Sequence, residues 1–171
     1  EAWGRATPVP AAAMDSGGDL DLVTANCGYA EGGRSTVSVL LNAGDGTFGP
    51  ESLTEAGLYT MGIAAGDLDG DGDPDLACAS YESGDVRVLL NRGDASFTPG
   101  GIVAAPFAIE IVAADLDGDG DLDLAVAKGD IAVFLNAGDG NFSVGETFEY
   151  WASDLAVADI DGDGDIDLLA G

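Results

Sequence analysis

Nine residues recur three times in this chain with almost no change. Asp115-Leu116-Asp117-Gly118-Asp119-Gly120-Asp121-Leu122-Asp123 has counterparts at 67–75 and 159–167. Carboxylates at every second position make a poor packing unit, because buried like charges repel one another and lose their hydration. The glycines between them leave the backbone free to coil tightly. The pattern is that of an oxygen cage for a hard cation, and the rest of the chain is laid out in units around it.

Aligning the three loops brings the flanking segments into register. A short run of small apolar residues precedes each loop, as Ile63-Ala64-Ala65-Gly66, Ile111-Val112-Ala113-Ala114 and Leu155-Ala156-Val157-Ala158. An apolar strand follows each, at Leu76, Leu124 and Leu168. After the first two comes a second strand ending in asparagine, Val86 to Asn91 and Ile131 to Asn136, then a Gly-Asp turn closed by Phe97 or Phe142. Val37 to Asn42, with its turn to Phe48, is an earlier copy of that half. The loop before it is degraded: Ala13 and Gly17 replace aspartates, and only Asp15 and Asp21 remain of the four side-chain ligand positions. A fourth cation site near Asp15–Asp21 is therefore expected to be weak or absent.

Each unit reads as four strands, and a period of about 45 residues matches the blades of a β-propeller. The expected fold is all-β: an array of about three and a half four-stranded antiparallel blades, with cation loops between the first two strands. The expected divisions are 7–57, 58–105, 106–150 and a half blade at 151–171, forming a single repeat domain. A half blade leaves strand edges open, and open edges invite pairing. Further sequence or another chain is expected to complete the array, as a ring or a filament. The start at Glu1 without methionine fits a mature secreted product and an excised piece equally well.

Numbered from its first aspartate, each loop offers carboxylates at positions 1, 3 and 5: Asp67, Asp69 and Asp71; Asp115, Asp117 and Asp119; Asp159, Asp161 and Asp163. Glycine at position 6 (Gly72, Gly120, Gly164) permits a sharp turn, as in other calcium loops. Position 7 (Asp73, Asp121, Asp165) would give its backbone carbonyl, leaving its own side chain free. Position 9 (Asp75, Asp123, Asp167) returns the last carboxylate. An all-oxygen, flexible cage suits Ca2+ better than Mg2+, which keeps its waters, and the loops carry no histidine or cysteine for zinc. Four carboxylates around one centre repel, so binding is expected to couple to folding. An EF-hand would need an acidic position 12 and a following helix. Position 12 here is Cys78, Val126 or Ala170, in strand-like sequence, so that reading fails.

The net charge of −27 argues against nucleic acid or an anionic membrane as partner, since both would be repelled. No apolar run is long enough to insert in a membrane as a helix. Histidine is absent, which removes the commonest general base, and the carboxylates are committed to the cages. No enzyme activity is expected. Cys27 and Cys78 lie at different offsets in their units, and two free thiols or one bridge are equally compatible with the sequence.

These loops, with the Leu-Leu-Asn-x-Gly-Asp-Gly-x-Phe turn seen at 40–48, resemble the FG-GAP/VCBS calcium-binding repeats that form integrin-α-type propeller blades. The resemblance spans nearly all of residues 7–171. It implies a seven-bladed propeller, an extracellular or cell-surface location and calcium at positions 1, 3, 5, 7 and 9. The chain departs from it in length and in its degraded first loop. Some relatives in this fold family are polysaccharide lyases, a less favoured alternative here.

The main functional expectation is a calcium-stabilised extracellular module with a structural or adhesive role and self-association through its open ends. The alternative is a lectin-like propeller that binds a glycan or a surface protein. An aromatic stands eight residues before each loop, Tyr59, Phe107 and Trp151, with Arg5 at that place in the first copy and Trp3 close by. Filling the gaps between blades is the favoured role for these rings over stacking on sugars. Arg92-Gly93-Asp94 spells an adhesion tripeptide, and Asn141 opens a glycosylation sequon. Both fall within the repeated turn, which weakens each as a separate signal.

Overall fold

The computed structural model describes residues 11–27 and 34–171. Trp3, Arg5 and the expected start of the first unit near Thr7 lie outside the described residues. All regular structure among the described residues is β. Strands β1 (Ala11–Ala12), β2 (Asp21–Asn26), β3 (Arg34–Leu40) and β4 (Ser52–Leu58) form one sheet. Strands β5 (Thr60–Gly66), β6 (Asp75–Ser80), β7 (Asp85–Asn91) and β8 (Phe97–Ala104) form a second. Strands β9 (Glu110–Ala114), β10 (Asp123–Ala127), β11 (Ile131–Asn136) and β12 (Phe142–Phe148) form a third. A hairpin of β13 (Leu155–Ala158) and β14 (Asp167–Ala170) ends the array.

Every sheet is a meander of antiparallel neighbours in sequence order, as short polar turns between strands require. The repeat is kept in register: Leu22 pairs with Leu40, Leu76 with Leu89, and Leu124 with Phe134. The third and fourth strands of each sheet shift register once, near Ser35/Thr36, Arg87/Leu89 and Ala132/Phe134. Such bulges increase the local twist and turn the outer strand away from regular edge pairing.

The sheets pack face to face, and their first strands lie side by side: β1 touches β5, β5 touches β9, and β9 touches β13. Strand β6 is buried along its whole length because it meets β4 on one side and β9 on the other. Its Leu-Ala-Cys-Ala sequence, and the Leu-Ala-Val-Ala of β10, supply the small side chains that a strand covered on both faces needs. Gly62 marks a tight approach between the first strands of two blades. A Cβ there would stand 3.1 Å from the Glu110 Cα and 3.2 Å from the Ile111 nitrogen.

The cores lie between blades. Met14, Val23, Val37, Val39, Ile63 and Leu76 fill the first joint, and Leu68, Val88, Ile111, Val126 and Phe134 fill the second. The third joint is thinner, with Ala127, Ile131 and Ala152 buried and Leu155 and Leu168 packed against them. The result is an open propeller-like array of four-stranded blades, ending in a two-stranded one. Cys78 is a free thiol within β6, and burial pushes its pKa up to about 12, so Cys78 is unionised and unreactive at neutral pH.

Phe107 and Trp151 do not plug the gaps between blades, whereas Tyr59 is half-buried. Phe107 stays 60% exposed and rests on Tyr81 of the preceding blade with ring centres 5.5 Å apart. Trp151 is 77% exposed, beside the thin third joint.

Candidate metal centre

Each acidic loop joins the first strand of its blade to the second, so its two ends are pinned by neighbouring ladder positions: Gly66 opposite Asp75, Ala114 opposite Asp123, Ala158 opposite Asp167. Between those pins the loop is wound by its own carboxylates. Asp67 Oδ1 accepts the Gly70 N–H at 2.9 Å, and its Oδ2 accepts the Gly72 N–H at 3.0 Å. Asp115 does the same with Gly118 and Gly120, and Asp159 with Gly162 and Gly164. Positions 3 and 5 each accept the N–H two residues on, as in Asp117 to Asp119 and Asp119 to Asp121. The position-6 glycines sit at φ of 94°, 98° and 100°, where a side chain would be strained. The position-4 glycines, Gly70, Gly118 and Gly162, are left-handed as well.

This winding turns carboxylates toward one point. Asp67, Asp69 and Asp71 converge in the first cage, Asp115, Asp117 and Asp123 in the second, and Asp159, Asp161 and Asp167 in the third. Within each group one carboxylate oxygen from each residue lies within 4.8 Å of the others. Oxygens bound to a single Ca2+ at 2.3–2.6 Å are separated by up to about 5 Å, so the spacing fits that ion. The donor set is all oxygen and anionic, which fits a hard cation. Asp119, Asp163 and Asp75 are not in the converging groups of their loops. Asp73 and Asp121 turn their side chains elsewhere, onto Gly93 and Gly138 of the following turn. Asp165 is also outside its group, and with Asp115 and Asp117 it lines a cleft between the second and third cages.

Position 9 has a second task that the sequence does not reveal. Asp75 and Asp123 are fully buried, and both oxygens of each take backbone N–H groups. Asp75 accepts from Leu68 at 2.9 Å and from Asn91 at 2.7 Å. Asp123 accepts from Leu116 at 3.0 Å and from Asn136 at 2.8 Å. Asp21 accepts from Met14 and Asn42 in the same way, although its loop has lost the cage. The first loop thus keeps its brace without its ligands, and no metal-holding group forms there among the described residues.

The electrostatics match a crowded anionic site. Burial pushes Asp75 up to about 6, outweighing its two backbone hydrogen bonds, and the charges of Asp69 and Asp71 add to the shift. Burial also raises Asp69, helped by Asp71 and Asp67, and raises Asp123, helped by Asp117 and Asp119. A divalent cation in the loop would favour the charged carboxylates and so oppose these shifts.

The remaining sequence candidates lie off the cages. Arg92-Gly93-Asp94 is in the turn that docks on the degraded loop: Asp15 bridges Asp94, and the Ala95 N–H bonds the Met14 carbonyl. Asn141 is exposed in the equivalent turn of the third blade. No helix among the described residues is long and apolar enough to cross a membrane.

A search of curated proteins returns no match to the chain. The sequence model of the FG-GAP-like repeat matches three times, over residues 14–78, 67–126 and 115–170, each match running from one acidic loop into the next. Those matches cover the blades and all four loops, the degraded one included. The chain belongs to the FG-GAP-like repeat family.

Proposed function

We propose that this chain is a calcium-binding structural module for use outside the cell, in which Ca2+ rigidifies the inner hairpin of each blade. The observation that carries this is the convergence of three aspartates in each of three loops, to spacings that fit one Ca2+. The residues that would hold the ion are those of the converging groups, with the position-7 carbonyls of Asp73, Asp121 and Asp165 as further oxygens. The ion would cancel the carboxylate repulsion and so add binding energy to folding energy. Extracellular calcium is abundant enough to keep even weak sites of this kind filled. Calorimetric titration of chelator-stripped protein with CaCl2 tests the proposal, together with a melting curve with and without chelator. Three binding events and a melting temperature several degrees lower after chelation are expected. Absence of calcium heat, or an unchanged melting temperature, overturns the proposal.

The adhesive part of the role is completion of the open end, by a second copy of the chain or by further sequence, and the second copy is the occupant that the two ends favour. Inside the chain, the position-2 residue of one loop is covered by the next blade: Met14 and Leu68 are buried, whereas Ile160 of the last loop is 61% exposed. At the opposite end, the Asn42 amide donates to the Leu20 carbonyl of its own loop, whereas Asn91 and Asn136 also reach the preceding blade. One copy thus offers at its front what another requires at its back, a heterologous contact that propagates as a ring or filament. Light scattering in calcium tests this, and a monomer at every concentration would overturn it.

The alternative is glycan binding. Trp151 and Tyr150, both strongly exposed, border a groove of about 400 Å³ with Ile131, Phe148 and Leu168. A glycan array on wild type and Trp151→Ala distinguishes the two roles, since only a lectin would give a signal that the substitution removes.

A further inference from the structure

Asn136 ends β11 and holds two acidic loops at once. Its side-chain NH2 donates to the Leu122 carbonyl of its own loop at 3.0 Å and to the Leu68 carbonyl of the preceding blade's loop at 2.8 Å. The orientation of the amide is set by its oxygen, which accepts the Ala137 and Gly138 N–H groups. The backbone N–H of Asn136 reaches Asp123 Oδ1, whose other oxygen accepts the Leu116 N–H. Leu68 is held on its other side too, by its N–H to Asp75. The Leu68–Asp69 peptide of one loop is therefore tied to the Leu122–Asp123 peptide of the next through the one buried Asn136 side chain, while the Leu68 N–H is held within its own loop by Asp75.

Asn91 makes the equivalent link to the Met14 and Pro74 carbonyls, but the loop it reaches back to has no cage. Among the described residues, the loops at 67–75 and 115–123 are the two cages joined by such an amide. The loop at 159–167 receives no hydrogen bond from the Asn136 side chain.

We propose that Asn136 is a positioning residue that couples calcium binding at 67–75 to calcium binding at 115–123, so that these two sites fill cooperatively. The proposal rests on the calcium reading above. An empty loop must be ordered before it binds, and that ordering is part of the cost of binding. Filling 115–123 fixes Asp123 and the Leu122 carbonyl, which fixes Asn136, which holds the Leu68 carbonyl and the two aspartates beside it. The second ion then meets a loop already ordered. Linkage makes the effect reciprocal, and a coupling of this kind is worth about fivefold or more in affinity.

The test needs each loop reported separately. The amides of Gly72, Gly120 and Gly164 each donate to the first carboxylate of their loop, so their NMR shifts follow its filling with CaCl2. Disabling the second cage with Asp115→Asn and Asp117→Asn is expected to weaken calcium at 67–75 about fivefold or more. Disabling the third cage with Asp159→Asn and Asp161→Asn leaves 67–75 unchanged. In an Asn136→Ala background the first effect disappears. A purely structural role for Asn136 would lower stability and affinity in that background but leave the ratio intact. Hydrogen exchange in chelator gives an ion-free readout: Asn136→Ala is expected to speed exchange at the Leu68 and Gly70 amides. Calcium binding in all three loops, with 67–75 indifferent to the state of 115–123, overturns the coupling and leaves the calcium reading standing. No binding in any loop overturns both. The cage variants need no change at Asn136, so the proposal stays falsifiable if Asn136→Ala does not fold.

Discussion

The backbone N–H of Asn91 points at Asp75 Oδ1 from 2.7 Å, while the other oxygen of Asp75 holds the Leu68 N–H at 2.9 Å. One buried carboxylate thereby joins the start of the acidic loop, the start of β6 and the end of β7. Asp123 and Asp21 repeat the arrangement, Asp21 in a loop without a cage.

Removing this brace destabilises the fold whether or not calcium is present. An orphaned buried N–H costs about 1–3 kcal/mol, so Asp75→Ala is expected to cost about 2–5 kcal/mol in urea unfolding with chelator. Asp21→Ala should cost a similar amount and leave all three calcium affinities in place. Equal stability of Asp21→Ala and wild type would show that the brace carries no weight of its own.

Much of the fold was legible because the repeat is written in letters that only one geometry satisfies. Small residues before each loop, aspartate and glycine in alternation, and asparagine after the third strand place each blade in turn. The site was legible less completely. Asp73 and Asp75 are the same residue two places apart, yet one faces the turn glycine and the other is a buried brace; residue type does not distinguish them. The Asn136 to Leu68 bond joins residues 68 apart, beyond the reach of any local pattern. Spacing alone does not show that Phe107 and Trp151 stay exposed, nor how closely Gly62 lets β5 approach β9.

That approach gives a second prediction. The atoms nearest a Cβ on Gly62 are backbone atoms of Glu110 and Ile111, which cannot swing aside as a side chain would. Gly62→Ala should force β5 and β9 apart and cost about 1–3 kcal/mol by the usual penalty of overpacking. Gly49→Ala is the control. Its nearest atom is the Leu41 oxygen at 3.8 Å, and a change within about 0.5 kcal/mol is expected. Equal costs for the two variants would refute the tight joint.

Acid should stabilise the calcium-free protein and destabilise the calcium-loaded one. Burial lifts Asp75 to about 6, above the ordinary aspartate value of about 3.9. Between those values the folded state keeps a proton that the unfolded chain has released. This contribution is complete below about pH 4 and is lost as pH rises through 6, with a slope of at most about 1.4 kcal/mol per pH unit. Asp69 and Asp123 are raised too and act in the same direction. With calcium, protons compete with the ion for the same oxygens and the slope reverses. Urea midpoints at pH 5 and pH 7, with chelator and with excess calcium, check both signs. In chelator, Asp75→Asn should flatten part of the slope, because a side chain of the same shape no longer titrates.

The last prediction separates the two kinds of aspartate within a cage. Asp69 contributes an oxygen to the converging group, whereas Asp73 lies half-buried against Gly93 and offers the site only its backbone carbonyl. Asp73→Asn removes a charge and keeps the backbone. The attraction lost between a nearby solvent-screened charge and a divalent ion is ~1 kcal/mol, so calcium at 67–75 should weaken by less than about tenfold. Asp69→Ala removes a ligand atom and its charge together, and should weaken the same site by well over tenfold. The Gly72 amide shift during calcium titration measures both, with Gly164 as the internal control. If Asp73→Asn proves as damaging as Asp69→Ala, the position-7 side chain is itself a ligand and the loop closes on its ion differently from the geometry described.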